Sequence, residues 1–448
     1  MNERKGDTNM ATTTNAALNQ QVIYELSLYN FSPEHDFDSV VRELDRIKDL
    51  GVDLIWLVPI HPRGEEMRLG EKGSPYSVKD YRGINPEHGD FASFARLVEE
   101  THKRGMKLLL DVVYNHTSRD SLLAKTHPEF FYHDQEGKPR CRFWQDVYDL
   151  DYANQALCDY MVETALFWAK LGVDGYRCDV APMVPLSFWR QAKAAMDQVN
   201  PDFIWLAETH HYPFLTRMRD QGWQLHADAE MYECFDVTYD YDVHYFYEDY
   251  LKGKGSLKAY VDAINRQKAM YPQNYIKLRL LENHDQVRVA SLVHTREQLF
   301  QWTAFSFFEK GLTMLYAGQE YAVAKRTNVT KAEPFARELC PGLEALIKRL
   351  SQIKKLDAFK NGAFTLAEPE QDSILVGTLE SADELLVGLF NFRLVTGKAR
   401  LPLRDGCYEN LLGGQITVKD GQCDAPVEPV ILRVTDQHTE NRPFKEHE

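Results

Sequence analysis

One pattern recurs along the chain from about residue 22 to residue 320: a short apolar run, a polar loop and an amphipathic stretch. Stretches such as FDSVVRELDRIKDLG and DFASFARLVEETHKRG have the apolar spacing of a helix and end at glycine. Strands that alternate with helices predict a parallel sheet. The candidate strands are QVIYELSL, DLIWLVPI, KLLLDVVYN, VDGYRCDVA, FIWLAET, EMYECFDVTYD, YIKLRLLENHD and LTMLYAGQE. Eight of them favour a closed (β/α)8 TIM barrel over an open doubly wound sheet.

Two parts of the chain depart from this pattern. The connection after the third strand, residues 117–151, is long, aromatic and without helical periodicity, so we expect a small inserted subdomain. Beyond the helix GLEALIKRLSQIKKL, alternating strands with DG and GG turns predict a C-terminal antiparallel β-sandwich domain. The expected organisation is a polar N-terminal tail, the barrel, the β-domain and a charged tail, at residues 1–20, 21–359, 360–436 and 437–448.

The charge of the chain argues against some classes of partner. The 448 residues carry a net charge of −15, which would repel a phosphate backbone or an anionic membrane. We therefore expect no nucleic acid and no membrane partner. The first twenty residues show no secretory signal, and no stretch approaches the run of about 18 apolar residues that spans a bilayer. Seven scattered cysteines without a CxxC pair predict reduced thiols in a cytoplasmic protein.

Polar side chains gather where the predicted strands end. Arg177 and Asp179 stand two residues apart on the fourth strand, so they face the same way. In a barrel, the carboxyl ends of all strands surround one mouth, where such enzymes build their active sites. Capping of the following helix would explain a single acid. It does not explain four carboxylates and two histidines at four strand ends, the others being Asp111, His116, Glu208, His284 and Asp285.

Carboxylates that converge on one cleft suit cleavage of a glycosidic bond. This reaction uses one carboxylate as the nucleophile and one carboxylic acid as the proton donor. Arg177 is in register to keep Asp179 ionised. Apolar neighbours in FIWLAETH would keep Glu208 protonated, as a general acid requires. Asp285 can hold substrate hydroxyls and oppose the charge of an oxocarbenium-like transition state.

Four motifs, DVVYNH, GVDGYRCDVA, AETH and ENHDQ, resemble in order and spacing the sequence regions of the α-amylase family, glycoside hydrolase family 13. LYAGQE is similar to the usual end of the family's eighth strand. The resemblance implies that Asp179 is the nucleophile, Glu208 the acid/base and Asp285 the transition-state stabiliser. It implies that the sugar at the cleavage point is bound by Tyr76, Asp111, His116, Arg177 and His284. For Tyr76, packing on its loop neighbours is an equally open interpretation.

Two departures from the family pattern concern metal and specificity. Many α-amylases carry Lys-His after the nucleophile segment, where this chain has Pro182 and Met183. Asn115 keeps the position of a calcium ligand, but the inserted loop shows no acidic cluster. We therefore expect no required cofactor and leave calcium as a possibility. The variants NHTS and LENHDQ resemble the branch that acts on oligosaccharides.

The sequence predicts a retaining α-glycosidase that hydrolyses malto-oligosaccharides or α-glucans through a covalent glycosyl-enzyme. A transglycosylase or isomerase of the same family, of the trehalose- or isomaltulose-forming type, shares these motifs and stays open as an alternative. A non-catalytic binding subunit is a third possibility, which the presence of all three carboxylates disfavours. The motifs leave open the preferred linkage, endo or exo action, and the oligomeric state.

Overall fold

The computed structural model describes residues 14–435, and its largest part is a closed barrel of eight parallel strands. Each strand pairs with the next along the chain, and the eighth closes on the first. The predicted barrel and its eight strands are confirmed. The strands are Val22–Leu26, Leu54–Leu57, Lys107–Val112, Gly175–Cys178, Ile204–Ala207, Val237–Tyr239, Lys277–Arg279 and Leu312–Tyr316.

Helices follow most of the barrel strands because their apolar residues recur at helical spacing. The helix Phe37–Asp49 shows how they are delimited. It begins after Asp36, whose carboxylate accepts a hydrogen bond from the Ser39 amide at 2.8 Å, and it ends before Gly51 at φ +87°. The α-helices are Leu28–Phe31, Phe37–Asp49, Phe91–Lys103, Leu122–Thr126, Gln155–Lys170, Leu186–Asp197, Tyr212–Asp220, Asp228–Met231, Tyr241–Leu251, Leu257–Met270, Arg296–Phe308, Leu343–Ile353 and Asp357–Asn361.

The inserted segment after the third barrel strand is organised by a small antiparallel hairpin. His116–Ser118 pairs with Val147–Asp149, so both ends of the segment are fixed at the barrel mouth. Between them lie the helix Leu122–Thr126 and the 3-10 helix Pro128–Phe130. The sequence did not predict these helices, because elements of three to five residues are too short to show a period.

The C-terminal part is an antiparallel β-domain, as predicted. Its main sheet is four-stranded, and two small two-stranded sheets pack on one of its faces around residues that include Val387, Leu389, Val418 and Leu432. The main sheet consists of Ala363–Leu366, Ile374–Glu380, Glu384–Asn391 and Val430–Thr435. The small sheets pair Lys398–Arg400 with Gln422–Asp424 and Gly406–Glu409 with Gln415–Val418.

The helix Arg296–Phe308 lies between the barrel and the main sheet of the β-domain. Every residue from 299 to 308 is buried, so this helix presents no face to solvent along most of its length. Trp302 stacks on Phe392, just after the strand Glu384–Asn391, with ring centroids 3.8 Å apart, and Phe305 meets Phe390 of that strand at 5.3 Å. A largely apolar helix that is buried all round must be covered on both sides. The barrel covers one side and the sheet covers the other.

The predicted polar tail ends earlier than residue 20. Ala16–Gln20 forms a 3-10 helix, and Leu18 packs against Ile23 and Leu54 at the amino-terminal end of the barrel interior. The Gln20 side chain donates to the Lys355 carbonyl at 2.8 Å. Part of the predicted tail is therefore a plug under the barrel. The segment 1–13 and the predicted charged tail 437–448 lie outside the described residues.

Candidate active site

Arg177 occupies the centre of the barrel mouth. It is the third residue of the strand Gly175–Cys178 and is fully buried. Its Nη1 lies 2.9 Å from Asp111 Oδ1 and 3.0 Å from Asp179 Oδ1, and its Nη2 lies 3.0 Å from Glu208 Oε2. Asp111 is directly across the strand pair from Arg177, and Asp179 follows on the same face. One guanidinium thus holds carboxyl groups from three strand ends.

The three carboxyl groups carry more negative charge than the single guanidinium balances. Burial raises the pKa of Asp111 to about 7 against the opposing effect of Arg177. Burial, and next the charge of Glu208, raise the pKa of Asp179 well above its ordinary value. The expected pairing with Arg177 is present, but it does not by itself keep Asp179 ionised, because the neighbouring carboxyls share the cation. Burial and the neighbouring carboxyls therefore disfavour the ionised form of Asp179, and Arg177 offsets this effect only in part.

Glu208 directly follows the strand Ile204–Ala207 and is 7% exposed. Its Oε2 accepts a hydrogen bond from the Val180 amide at 2.8 Å in addition to the contact with Arg177. Val180 has φ +39°, a left-handed conformation that is costly for a β-branched residue and that aims its N–H at this carboxylate. The predicted apolar surrounding of Glu208 is therefore wrong, since a guanidinium and a main-chain amide contact its carboxyl group.

His284 and Asp285 lie in the loop that follows the seventh strand. His284 Nε2 is 3.1 Å from Asp285 Oδ2 and 2.6 Å from the Tyr76 hydroxyl, and its Nδ1 contacts Glu25. Burial opposes the charged imidazole, but Asp285 and Glu25 together raise the pKa of His284 well above its ordinary value. Desolvation also opposes ionisation of Asp285, yet the His284 charge lowers the pKa of Asp285 to about 2. The Asp285 side chain is 49% exposed and so faces the open mouth.

Tyr76 reaches the site from the loop after the second strand. Its hydroxyl donates to Asp111 Oδ2 at 3.1 Å, and its ring lies nearly parallel to the His284 ring with centroids 5.5 Å apart. Trp56 Nε1 donates to the same carboxylate oxygen at 3.3 Å. Tyr76 is thus brought into the cluster, while its stacking on a sugar stays a prediction.

His116 borders the nucleophile candidate from the inserted segment. Its Nε2 lies 4.0 Å from Asp179 Oδ2, and its ring packs on Trp144 at 4.9 Å. Burial, with the charge of Arg142, lowers the pKa of His116 to about 3, so the ring is neutral at physiological pH. Asn115 is buried and its amide contacts His116 Nδ1 at 3.0 Å.

The residues near Asn115 do not fit a calcium ion. Asp149 is buried, and its Oδ2 lies 2.8 Å from Arg142 Nε. Asp134 is exposed and accepts amides of its own turn, and the buried Asp146 carboxyl lies near Ser77 and the cation Arg119. Across residues 14–435, no group of three His, Cys, Asp or Glu side chains is arranged to hold a metal. Calcium needs six to eight oxygen ligands, and here a guanidinium stands beside the buried acid instead.

Pro182 and Met183, which follow the nucleophile segment, form an apolar surface beside the site. Met183 packs with Val180 in a cluster that includes Trp223. The Pro182 carbonyl accepts a hydrogen bond from the His226 amide at 3.0 Å and is thereby engaged within the protein. The positions that are Lys-His in many α-amylases therefore offer packing rather than polar groups to a ligand.

Sequence reasoning missed three residues of this cluster, namely Glu25, Trp56 and Tyr239. Tyr239 accepts a hydrogen bond from Arg177 Nε at 3.0 Å. The three lie on the first, second and sixth strands, which the four motifs do not cover. A signal was present for Glu25, because an acid in the apolar strand VIYEL is as exceptional as the arginine in GYRC.

A parallel barrel whose carboxyl ends surround a buried set of carboxylates has the architecture of the (β/α)8-barrel glycoside hydrolases. The family model "Alpha amylase, catalytic domain" matches residues 7–139 and 128–349, and "Bacterial Alpha amylase C-terminal domain" matches residues 365–432. This chain belongs to the α-amylase family.

Solved structures and curated relatives agree with this assignment. An alpha-amylase from Lactobacillus plantarum has a TM-score of 0.91 and 40% identity, covering 94% of this chain and 100% of that one. The maltogenic alpha-amylase AmyB from Thermotoga neapolitana has a TM-score of 0.84 and 33% identity, covering 93% and 99%. Alpha-amylase MalA from Haloarcula japonica is 28% identical over 67% of this chain and 44% of its own length. The chain spans about half the length of the curated relatives it matches.

Proposed function

We propose that this chain hydrolyses α-glucosidic bonds of short malto-oligosaccharides with retention of configuration. The observation that carries the proposal is the attachment of Asp179 and Glu208 to one buried guanidinium, with Asp285 at the open mouth. Retaining glycosidases have their two carboxyl groups roughly 5–5.5 Å apart, against roughly 6.5–9.5 Å in inverting enzymes. Two carboxyls that share one arginine suit the closer spacing.

In the proposed first step, Asp179 attacks the anomeric carbon while the glycosidic C–O bond breaks. Glu208 gives its proton to the departing oxygen, so the leaving sugar departs as a neutral alcohol. In the second step, Glu208 takes a proton from water as that water attacks the same carbon and releases Asp179. Two displacements restore the α configuration.

The remaining residues hold the sugar and the developing charge. The Asp285 carboxylate lies at the open mouth and would oppose the positive charge of the oxocarbenium-like transition state. Arg177 fixes the positions of the nucleophile and the acid before substrate arrives, which reduces the reorganisation needed during reaction. The sugar at the cleavage point would be bound by Tyr76, Asp111, His116 and His284.

Replacement of Asp179 tests the nucleophile. Asp179→Asn keeps the shape of the side chain but removes the attacking charge, so kcat should fall by at least about 10³-fold while the fold survives. Maltotriose turnover and circular dichroism of the purified variant measure both quantities. Asp134→Asn is the matched control, because Asp134 is an exposed acid in a turn of the inserted segment. Near-wild-type turnover by folded Asp179→Asn would remove the assignment.

The stereochemistry is tested independently by proton NMR of the first product formed. Retention predicts that the new reducing end appears as the α-anomer and then mutarotates. An initial β-anomer would show that the two carboxyls act as an inverting pair. A product time course on the same samples also detects transfer, because transglycosylation yields products longer than the substrate.

We further propose that short soluble oligosaccharides are preferred to intact starch. The inserted segment that would wall a long cleft is small, and NHTS and LENHDQ resemble the oligosaccharide-acting branch. Discrimination between substrates is a ratio of kcat/KM values. The value on maltotriose and maltotetraose should exceed the value on amylose, counted per accessible bond. The reverse order would favour an endo-acting α-amylase.

The state of the cysteines bears on the cellular compartment. All seven cysteines are unpaired, and one, Cys407, is an exposed thiol, which suits a reducing compartment such as the cytoplasm. In the described part of the chain, no helix has the length and apolarity to cross a membrane. We propose that the partner is a soluble α-glucan, which binds to the barrel (21–359). The β-domain (360–436) would cover the barrel and would have a structural role.

A further inference from the structure

Glu25 is a buried acid that the proposed reaction does not yet use. It lies on the first strand, Val22–Leu26, where it shares the inward face with Ile23 and is fully buried. The other four residues of this strand are Val, Ile, Tyr and Leu. A buried carboxylate without a partner strongly destabilises a fold. Its presence here calls for a compensating group.

That group is His284. Glu25 Oε1 contacts His284 Nδ1, whereas Glu25 Oε2 has no hydrogen-bond partner in residues 14–435. The other ring nitrogen, Nε2, faces Asp285 Oδ2 at 3.1 Å and the Tyr76 hydroxyl at 2.6 Å. A histidine with a carboxylate at each nitrogen donates from both, which requires the imidazolium form.

We propose that Glu25 is a positioning residue of the active site: it holds His284 as an imidazolium that orients the Asp285 carboxylate and keeps it charged for the transition state. The proposal rests on the proposed function, because it concerns the same site. Glu25 itself acts through His284 and touches no substrate. The chain of contacts runs from the barrel interior to the exposed carboxylate at the mouth.

The other groups that face His284 do not replace Glu25. Tyr76, from the loop after the second strand, is neutral because burial raises its pKa well above the ordinary value, and the cation Arg177 cannot offset a second positive charge. Asp111, from the third strand, is tied to Arg177 and Trp56. Glu25 and Asp285 are therefore the two acids that balance the imidazolium. Removal of the Glu25 charge lowers the pKa of His284, so the imidazolium is lost at lower pH.

Glu25→Gln is the decisive variant, because the amide keeps the shape and an acceptor oxygen but not the charge. The alkaline limb of kcat/KM on maltotriose should move toward lower pH by about one unit or more. Nitrogen-15 NMR of histidine-labelled protein gives a direct readout. His284, assigned from a His284→Gln spectrum, should show two protonated nitrogens at pH 7.5 in the wild type and a neutral ring in Glu25→Gln.

Glu320→Gln is the matched control for the loss of a buried acid near the first strand. Glu320 is 3% exposed, accepts a hydrogen bond from the Tyr24 hydroxyl at 2.6 Å and pairs with Arg46, away from His284. This variant should leave the alkaline limb and the His284 signals in place, even where it lowers the melting temperature. Glu25→Asp keeps the charge, so its alkaline limb should lie between those of Glu25→Gln and the wild type.

Two results would overturn the proposal. One is a neutral His284 in the wild type at pH 7.5, a measurement that needs no variant to fold. The other is a folded Glu25→Gln enzyme with an unchanged alkaline limb and an unchanged His284 spectrum. If Asp179→Asn inactivates the enzyme, either result rejects only the role of Glu25 and leaves the proposed function in place. Full activity of Asp179→Asn would instead reject the proposed function.

Discussion

At the scale of single residues, the site contains more acids than cations, so each cation contacts several carboxyl groups. Arg177 is the common neighbour of Asp111, Asp179 and Glu208, and His284 is the common neighbour of Glu25 and Asp285. A shared cation couples the positions and the titrations of the acids around it. A substitution at either hub is therefore expected to change several carboxyls at once, with effects that do not add.

Tyr76 links the two hubs, which gives a prediction that separates its hydroxyl from its ring. Tyr76→Phe removes the bridge between Asp111 and His284, and hydrogen bonds to charged groups are worth about 1.5–3 kcal/mol, so kcat/KM should fall about 10- to 100-fold. Tyr76→Ala also removes the ring and should lose more. Equal losses in the two variants would show that the ring makes no contact with the sugar. Kinetics on maltotriose measure both.

Which of these residues could be predicted from sequence depends on the kind of contact. Arg177 and Asp179 were accessible because strand alternation fixes their common face. The sharing of Arg177 with Glu208, which makes the predicted apolar setting of that acid wrong, was not accessible. A contact between two strand ends depends on barrel closure, and a linear pattern does not encode that distance. The contact between Glu25 and His284, which are 259 positions apart in the sequence, could not be predicted for the same reason.

At the scale of elements, the inserted segment is held together by cations on aromatic rings. Arg142 pairs with Asp149 on the hairpin strand Val147–Asp149 and lies 5.0 Å from the Trp223 ring centroid. Arg140 lies 5.2 Å from the same ring. These contacts tie the segment to the connection between the fifth and sixth barrel strands, beyond the helix Tyr212–Asp220.

Arg142→Met tests this arrangement. It leaves the Asp149 carboxylate buried and unpaired, so the free energy of unfolding should fall by about 3–5 kcal/mol. The double variant Arg142→Met/Asp149→Asn removes the orphaned charge and should recover part of the loss. Urea denaturation of the three proteins measures the coupling. Equal stability of Arg142→Met and the wild type would mean that the pair contributes nothing.

Chelation gives the complementary prediction. Because the residues around Asn115 do not fit calcium, the melting temperature should not change when EDTA is added to purified protein. A fall of many degrees that calcium reverses would contradict this. The same measurement on Arg142→Met shows whether loss of the guanidinium makes stability depend on added calcium.

The elements also show where sequence patterns fail. The barrel strands are apolar runs that fill a closed interior, and this pattern predicts their presence directly. The segment EMYECFDVTYD is the weakest case, since its first residues belong to the helix Asp228–Met231 and only Val237–Tyr239 enters the barrel. Composition does not distinguish the two halves, because both are rich in aromatic residues.

At the scale of the whole molecule, buried acids outside the active site set the dependence of stability on pH. Glu309 is buried beside Arg279 and Asp240, and burial raises its pKa to about 8. The folded state therefore keeps a proton that the unfolded chain loses above its ordinary pKa of 4.5. Stability should fall as pH rises between these values, at up to about 1.4 kcal/mol per pH unit.

Glu309→Gln tests this dependence because it mimics the protonated acid at every pH. The variant should lose less stability than the wild type between pH 5 and pH 8, as measured by urea denaturation at each pH. Glu338→Gln, at an exposed glutamate, is the control and should follow the wild type. Parallel curves for Glu309→Gln and the wild type would show that Glu309 is ionised in the folded protein.

The helix Arg296–Phe308 limits how the barrel and the β-domain can be separated in an engineered protein. A protein engineer who fused the barrel to another catalyst at the β-domain boundary would uncover Trp302, Phe305 and neighbouring apolar residues. Such a surface recruits other copies of itself, and the product would be an aggregate. Removal of the β-domain would therefore expose this helix, whereas loops at the barrel mouth can be exchanged while the seam stays closed.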